Sequence, residues 1–127
     1  MKLKVGIFFG GPSRLREQSF TGALDIYRHL DTQLFEPILI LVDIHGQLVH
    51  VREKNLTKQR LQHFFQPPKP DEEYDFLVYQ ESLTPAMQMQ QRAEIGKTLD
   101  NKQLSQLINF AFVGLEGAAD PYPYQFK

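Results

Sequence analysis

No cysteine occurs anywhere in the 127 residues. This excludes disulfides, thiolate metal sites and cysteine nucleophiles, and it fits a reducing compartment. A charge excess of either sign is missing as well. Fourteen Lys and Arg stand against fifteen Asp and Glu, for a formal net charge of −1. Nucleic-acid binders carry a basic excess or stripe, so no nucleic-acid partner is expected. Long apolar runs are also absent. The stretch between Lys4 and Gly10 is too brief for a signal-peptide core or a membrane span, so the expectation is a cytoplasmic protein with no membrane partner. What is present is ordinary for a globular domain: 42 % hydrophobic and 23 % charged residues. A domain of this size buries about two thirds of its unfolded surface, so one domain can hold a core without staples.

Hydrophobic periodicity orders the chain. Residues 3–9 form a short apolar run that stops at Gly10-Gly11-Pro12-Ser13, as expected for a strand buried on both faces. Phe20, Ala23, Leu24, Tyr27 and Leu30 then recur at helical spacing. Pro12 and Ser13 suit the helix entry, with Glu17 or Ser19 as later alternatives, and Asp31-Thr32 marks the exit. Residues 38–42 read as a second buried strand, led in by Pro37. Strand, helix and strand make a βαβ unit with parallel pairing. Asp43-Ile44-His45-Gly46 is a turn, and Leu48, Val49 and Val51 suggest a short hairpin partner.

The middle of the chain is less regular. Residues 56–65 suggest a short helix, 74–79 another strand, and 84–92 a loosely packed helix or mobile segment ended by Gly96. Asp100 and Gln103 have capping-box spacing, opening a helix with Leu104, Leu107 and Ile108 inward. Residues 110–115 are the third clear strand. The summed expectation is an α/β domain over residues 1–117, with a small, mostly parallel sheet flanked by helices, followed by a Pro/Tyr-rich tail over 118–127. Ligands of such sheets bind beyond the carboxyl ends of the strands. Here those ends are residues 10–13, Asp43, and Glu116-Gly117.

The turn after the first strand offers glycines for close backbone approach and helix-start amides for an anion. It is neither G-x-G-x-x-G nor a P-loop, since no Gly-Lys-Ser/Thr follows, and the same residues also make a plain strand-to-helix turn. Arg16, Glu17 and Ser19 follow it and suit either ligand contact or dipole-compatible capping. Glu116 at a strand end is a candidate acid or base or a solvated carboxylate. His29, His45, His50 and His63 lack the i, i+3 or i+4 pairing of a helical metal site, so no metal site is assigned. The tail's prolines forbid a long helix; its alternating aromatics suit docking on the domain or on a partner, and a mobile terminus is the default expectation.

The run Lys4-Val5-Gly6-Ile7-Phe8-Phe9-Gly10-Gly11-Pro12-Ser13, followed by Arg16-Glu17-Gln18-Ser19-Phe20, resembles the N-terminal domain of D-alanine–D-alanine ligases. Members of that family read strand, Gly-Gly-x-Ser-x-Glu-Arg-Glu-x-Ser, then helix. Leu34-Phe35-Glu36-Pro37 with Val42-Asp43 and Gly46 agrees in order, as does Val78-Tyr79-Gln80-Glu81-Ser82-Leu83. Phe110-Ala111-Phe112-Val113-Gly114-Leu115-Glu116-Gly117 is similar to a family strand that ends in Leu-His-Gly. The resemblance covers residues 3–117 in pieces, and its first motif is the most specific part.

It implies a Rossmann-like, pre-ATP-grasp fold and ATP-dependent joining of two D-alanines through an acyl phosphate, in the peptidoglycan precursor pathway. It also implies a D-alanine-like small-molecule ligand and a homodimer. Gly10, Gly11, Ser13, Arg16, Glu17 and Ser19 match the first motif and are the implied substrate-binding residues. No catalytic residue is assigned; Glu17, Ser19 and Glu116 are the candidates. Two positions depart from the pattern. The glutamate that in the family contacts a substrate ammonium falls on Leu15, and the histidine of Leu-His-Gly falls on Glu116. The family's Gly-Glu-Asp-Gly stretch is absent. ATP and Mg2+ would sit in two later ATP-grasp domains, for which 127 residues leave no room. Phosphoryl transfer needs clamped phosphates, cations and metal carboxylates together, so this chain alone is not expected to ligate. The leading expectation is the substrate-side domain of a ligase-like protein, as a fragment or truncated gene product. The alternatives are a free-standing, non-catalytic binding or dimerisation domain built on that scaffold, and an unrelated α/β domain that binds a small anion at residues 10–13.

Overall fold

A computed structural model describes residues 2–11, 15–65 and 73–113. Its elements run β1 (Leu3–Gly10), α1 (Arg16–His29), β2 (Phe35–Val42) and β3 (Leu48–Val51), then 3-10 turns at Glu53–Asn55 and Gln62–Phe64. They continue with α2 (Glu73–Ser82), α3 (Pro85–Ile95), β4 (Gly96–Leu99), α4 (Asn101–Leu107) and β5 (Phe110–Val113). The expected 118–127 tail lies outside the described residues. Among the described residues no helix is long and apolar enough to cross a membrane.

The chain is α/β with one five-stranded sheet, ordered β4-β3-β2-β1-β5. β1 pairs in parallel with both β2 and β5, whereas β2–β3 and β3–β4 are antiparallel. The sheet is therefore mixed, not mostly parallel as expected. The reason is local. A tight turn at residues 43–46 returns the chain beside β2, and so short a connection permits only antiparallel pairing. Pairing of β3 with β2 begins at Ile40, so Pro37 lies in a stretch of β2 that has no ladder on the β3 side.

Period-two alternation divides the core between the two sheet faces. Val5, Ile7, Phe9, Leu39, Leu41, Val49 and Val51 face one side, where Phe20 and Ala23 of α1 cover them together with Leu61, Phe64, Phe65 and Ile95. Phe20 sits tilted between Phe9 and Phe65, with ring centroids 5.1 and 5.5 Å away. Phe8, Ile38, Ile40, Val42 and Leu48 face the other side, beneath Leu104 and Ile108. Ile7, Phe8 and Phe9 are all fully buried, and each such side chain contributes roughly 1.5–3 kcal/mol by leaving water.

Several sequence expectations meet their structure here. The apolar stripe of α1 faces the core as the spacing indicated. Asp100 and Gln103 make both bonds of the capping box, and Leu104 is fully buried. Residues 84–92 do form a helix, opened by Thr84, whose hydroxyl accepts from Met87 N at 3.2 Å. Residues 56–65 contain turns and one short 3-10 helix in place of the expected helix.

The strand expected over 74–79 is instead helix α2. Phe76, Gln80 and Leu83 are buried while Val78 is 55 % exposed, which is helical spacing that a short apolar run conceals. β4 was missed. Gly96, expected only to end a helix, also begins this strand, and a Cβ there would run into the carbonyl oxygen of His50.

His50 lies opposite Ile40 on β2 and Lys97 on β4. Its imidazole is held below its ordinary pKa, first by burial and then by Lys97, against a raising contribution from Glu36. Below about pH 6.5 the unfolded chain takes up a proton here that the folded chain resists. Stability is therefore full above that pH and declines as pH falls through it toward the lower folded value. Urea midpoints measured at about pH 7.5 and 5.5 should converge in His50→Gln relative to the parent. An equal pH response in both proteins would exclude His50 as the source.

Candidate functional site

The carboxyl ends of β1 and β2 lie side by side, with Gly10 in register with Val42. Gly10 and Gly11 have φ of +96° and +86°, a region L side chains rarely enter. A Cβ on Gly10 would also stand 2.6 Å from the Val42 carbonyl oxygen. The turn is thus closed by backbone geometry that only glycine fits. Its two amides are both engaged within the fold. Gly10 N donates to Ser19 Oγ at 2.7 Å, and Gly11 N donates to Val42 O at 2.7 Å. The Ser19 hydroxyl in turn donates to Arg16 O at 3.0 Å.

α1 begins at Arg16, and Leu15 at its N-cap supplies no side-chain bond. The expected entry residues Pro12 and Ser13 lie outside the described residues, and Glu17 and Ser19 fall inside the helix rather than opening it. Arg16 is only 2 % exposed. Its Nη1 reaches Phe65 O at 3.5 Å, and its guanidinium carbon lies 3.9 Å from the centre of the Phe76 ring. A cation over an aromatic face is attracted by the ring quadrupole, so Arg16 joins the start of α1 to the 3-10 turn and to α2. Glu17 is partly exposed in the first helical turn, and Leu15 is 36 % exposed.

Asp43, at the end of β2, is almost entirely buried. Its Oδ1 accepts from His45 N and Gln47 N, each at 2.9 Å, which fixes the β2–β3 turn. Its Oδ2 meets Arg92 Nη1 of α3 at 3.1 Å. Arg92 is largely buried as well, and its Nε finds no acceptor among the described residues. Nearby, Tyr79 OH accepts from Gln91 Nε2 at 3.2 Å and approaches His63 Nδ1 at 3.5 Å.

The structure therefore brings Gly10, Gly11, Arg16 and Ser19 together, as one internally bonded frame. Ser13 and Glu116 lie outside the described residues. The Asp43–Arg92 pair was not anticipated, because the two residues are 49 apart in sequence and no local motif links them. Arg92 has one sequence signal, a lone cation in a glutamine-rich helix, and that signal names no partner. Among the described residues, no three His, Asp or Glu side chains converge as metal ligands. Neither protein-family models nor curated proteins give a match to this chain.

Ser19→Ala leaves the buried Gly10 amide without its acceptor. The expected loss is about 1–3 kcal/mol of unfolding free energy, measurable by urea titration; an unchanged midpoint would mean that the hydroxyl does not hold the turn. Asp43→Ala strips the turn of its acceptors and strands the Arg92 cation. It should cost about 3–5 kcal/mol, and in a double-mutant cycle it should couple strongly to Arg92→Met.

Proposed function

We propose that this chain is the substrate-side, pre-ATP-grasp domain of a D-alanine–D-alanine ligase-like protein and does not ligate by itself. The observation that carries this reading is where the resembling motif falls. Its strand segment is β1, its glycine pair is the closed turn with positive φ, and its Arg-Glu-x-Ser segment is the first turn of α1. Parallel pairing of β1 with β2 and β5 supports a Rossmann-like half-sheet at this end. In this reading Glu17 and the helix entry face the substrate side, while Gly10, Gly11, Arg16 and Ser19 hold the scaffold. ATP and Mg2+ would be bound by residues other than these 127, because no phosphate-clamping loop occurs among them.

One specific observation favours a second reading, a non-catalytic binding or dimerisation domain on the same scaffold. Leu15 stands at the helix entry where the ligase motif has its ammonium-binding carboxylate, and an aliphatic side chain accepts no hydrogen bond. The amides of Gly10 and Gly11 are likewise committed inside the fold. That commitment also weighs against a small-anion site at the turn.

Thermal unfolding with D-alanine, D-alanyl-D-alanine and ATP tests these readings. A ligand at a hundred times its dissociation constant stabilises by about 2.7 kcal/mol. The expectation is no saturable shift with any of the three. A saturable D-alanine shift would overturn the role given to Leu15. The genomic reading frame beyond the Lys127 codon then separates the two readings. Continuation into nucleotide-binding domains supports the ligase part, and an immediate stop supports the free-standing domain.

A further inference from the structure

Two helices of this chain open on the same kind of cap, and only one of the two caps is complete. At α4, Asp100 Oδ1 accepts from Gln103 N at 2.7 Å, and Asp100 N donates to Gln103 Oε1 at 2.9 Å. Each side chain thus satisfies the other residue's amide. At α3, Thr84 holds the N-cap with extended backbone angles, φ −68° and ψ 157°, and its Oγ1 accepts from Met87 N at 3.2 Å. Pro85 follows at the helix start, where the lack of an N–H leaves no bond unmade. The return bond does not form. Met87 stands where α4 has Gln103, and a thioether sulfur is a weak acceptor. Among the described residues no acceptor meets the Thr84 amide.

Methionine sulfoxide carries the acceptor that the thioether lacks. Its path Cα–Cβ–Cγ–Sδ–O has as many bonds as Cα–Cβ–Cγ–Cδ–Oε1 of glutamine, so the two oxygens have the same reach. Long side chains of a helix lean back toward its N-terminus, and from the third helical residue that direction leads over the cap. Met87 is 48 % exposed and open to a small oxidant. Met89 is 63 % exposed, but it lies two residues further on, turned roughly 200° around the helix axis, away from the same amide. No cysteine in the chain competes for the oxidant.

We propose that Met87 is an oxidation site whose sulfoxide completes the capping box of α3, with hydrogen peroxide as the oxidant. A sulfur lone pair attacks one peroxide oxygen, the O–O bond breaks, and the second oxygen leaves as water after a proton shift. Sulfur loses two electrons and peroxide gains them. The oxygen now on sulfur accepts from Thr84 N. Oxidation of a core methionine loosens structure by making an apolar side chain polar. Met87 lies outside the core, and its new oxygen meets a donor that had only solvent, so oxidation secures the start of α3. That helix carries Arg92 to Asp43 and Gln91 to Tyr79, so the completed cap steadies the brace at the end of β2.

The test is amide–water exchange at Thr84, followed by NMR in the full 127-residue chain carrying Met89→Leu. It is measured before and after peroxide treatment that mass spectrometry shows to have added one oxygen at Met87. Asp100, whose amide already sits in a complete box, is the internal reference. Exchange at Thr84 should slow at least roughly twofold on oxidation while Asp100 stays unchanged. Met87→Gln should slow Thr84 similarly without oxidant, and Met87→Leu should show no slowing after peroxide. Peroxide forms both sulfur epimers, and slowing in either one supports the proposal. Unchanged or faster exchange at Thr84 in both epimers would overturn it. So would slowing that persists in treated Met87→Leu, or a Met87→Gln variant whose Thr84 amide exchanges as fast as in the untreated chain.

Discussion

Everything in this fold hangs on the burial of β1. Ile7, Phe8 and Phe9 are successive residues with no exposed surface, so apolar material must lie on both faces and strands on both edges. α1 supplies one face and α4 the other, while β2 and β5 satisfy the backbone on either side. A strand buried in this way cannot turn its polar backbone to water, so its end must be closed by the protein itself. That requirement explains the turn at Gly10-Gly11. Its amides are taken by Ser19 Oγ and Val42 O, and the positive φ values bring them into reach.

The same closure changes how the motif there is understood. Glycines before a helix suggest a cradle for a ligand because backbone amides at such a place are often spare. Here they are not spare, and Ser19 and Arg16 are drawn into the frame that holds them. A motif can persist because its residues build a turn, whatever chemistry that turn serves in other proteins. At the rim of this frame, Leu15 is exposed and Glu17 partly exposed.

A second frame stabilises the other end of the site. Asp43 serves the β2–β3 turn with one oxygen and Arg92 with the other, so a single carboxylate couples hairpin geometry to the position of α3. Arg16 does related work between α1, the 3-10 turn and α2 through Phe65 and Phe76. Both arginines are buried near strand ends and are held chiefly by contacts distant in sequence. Around a sheet end that looks open in the sequence, the structure is braced by buried charge.

Much of this was legible in the sequence, for reasons that differ by element. Two-sided burial writes an unbroken apolar run, which revealed β1 and the core of β2. An amphipathic stripe revealed the inner face of α1, and the capping box at Asp100 and Gln103 is a signature only four residues long. Local patterns failed where the deciding partner was remote. The apolar run in α2 suits a strand as well as a helix, and the packing of Phe76, Gln80 and Leu83 decides for helix. β4 is strand because Gly96 lets it approach His50 closely. The sequence by itself determined the α/β alternation and the βαβ start, since both are written in periods of two and 3.6 residues. Only the tertiary structure decided that the sheet is mixed and that Asp43 and Arg92 meet. It also decided that the amides of the glycine turn are already bonded, because each of these depends on distances between residues that the chain order leaves far apart.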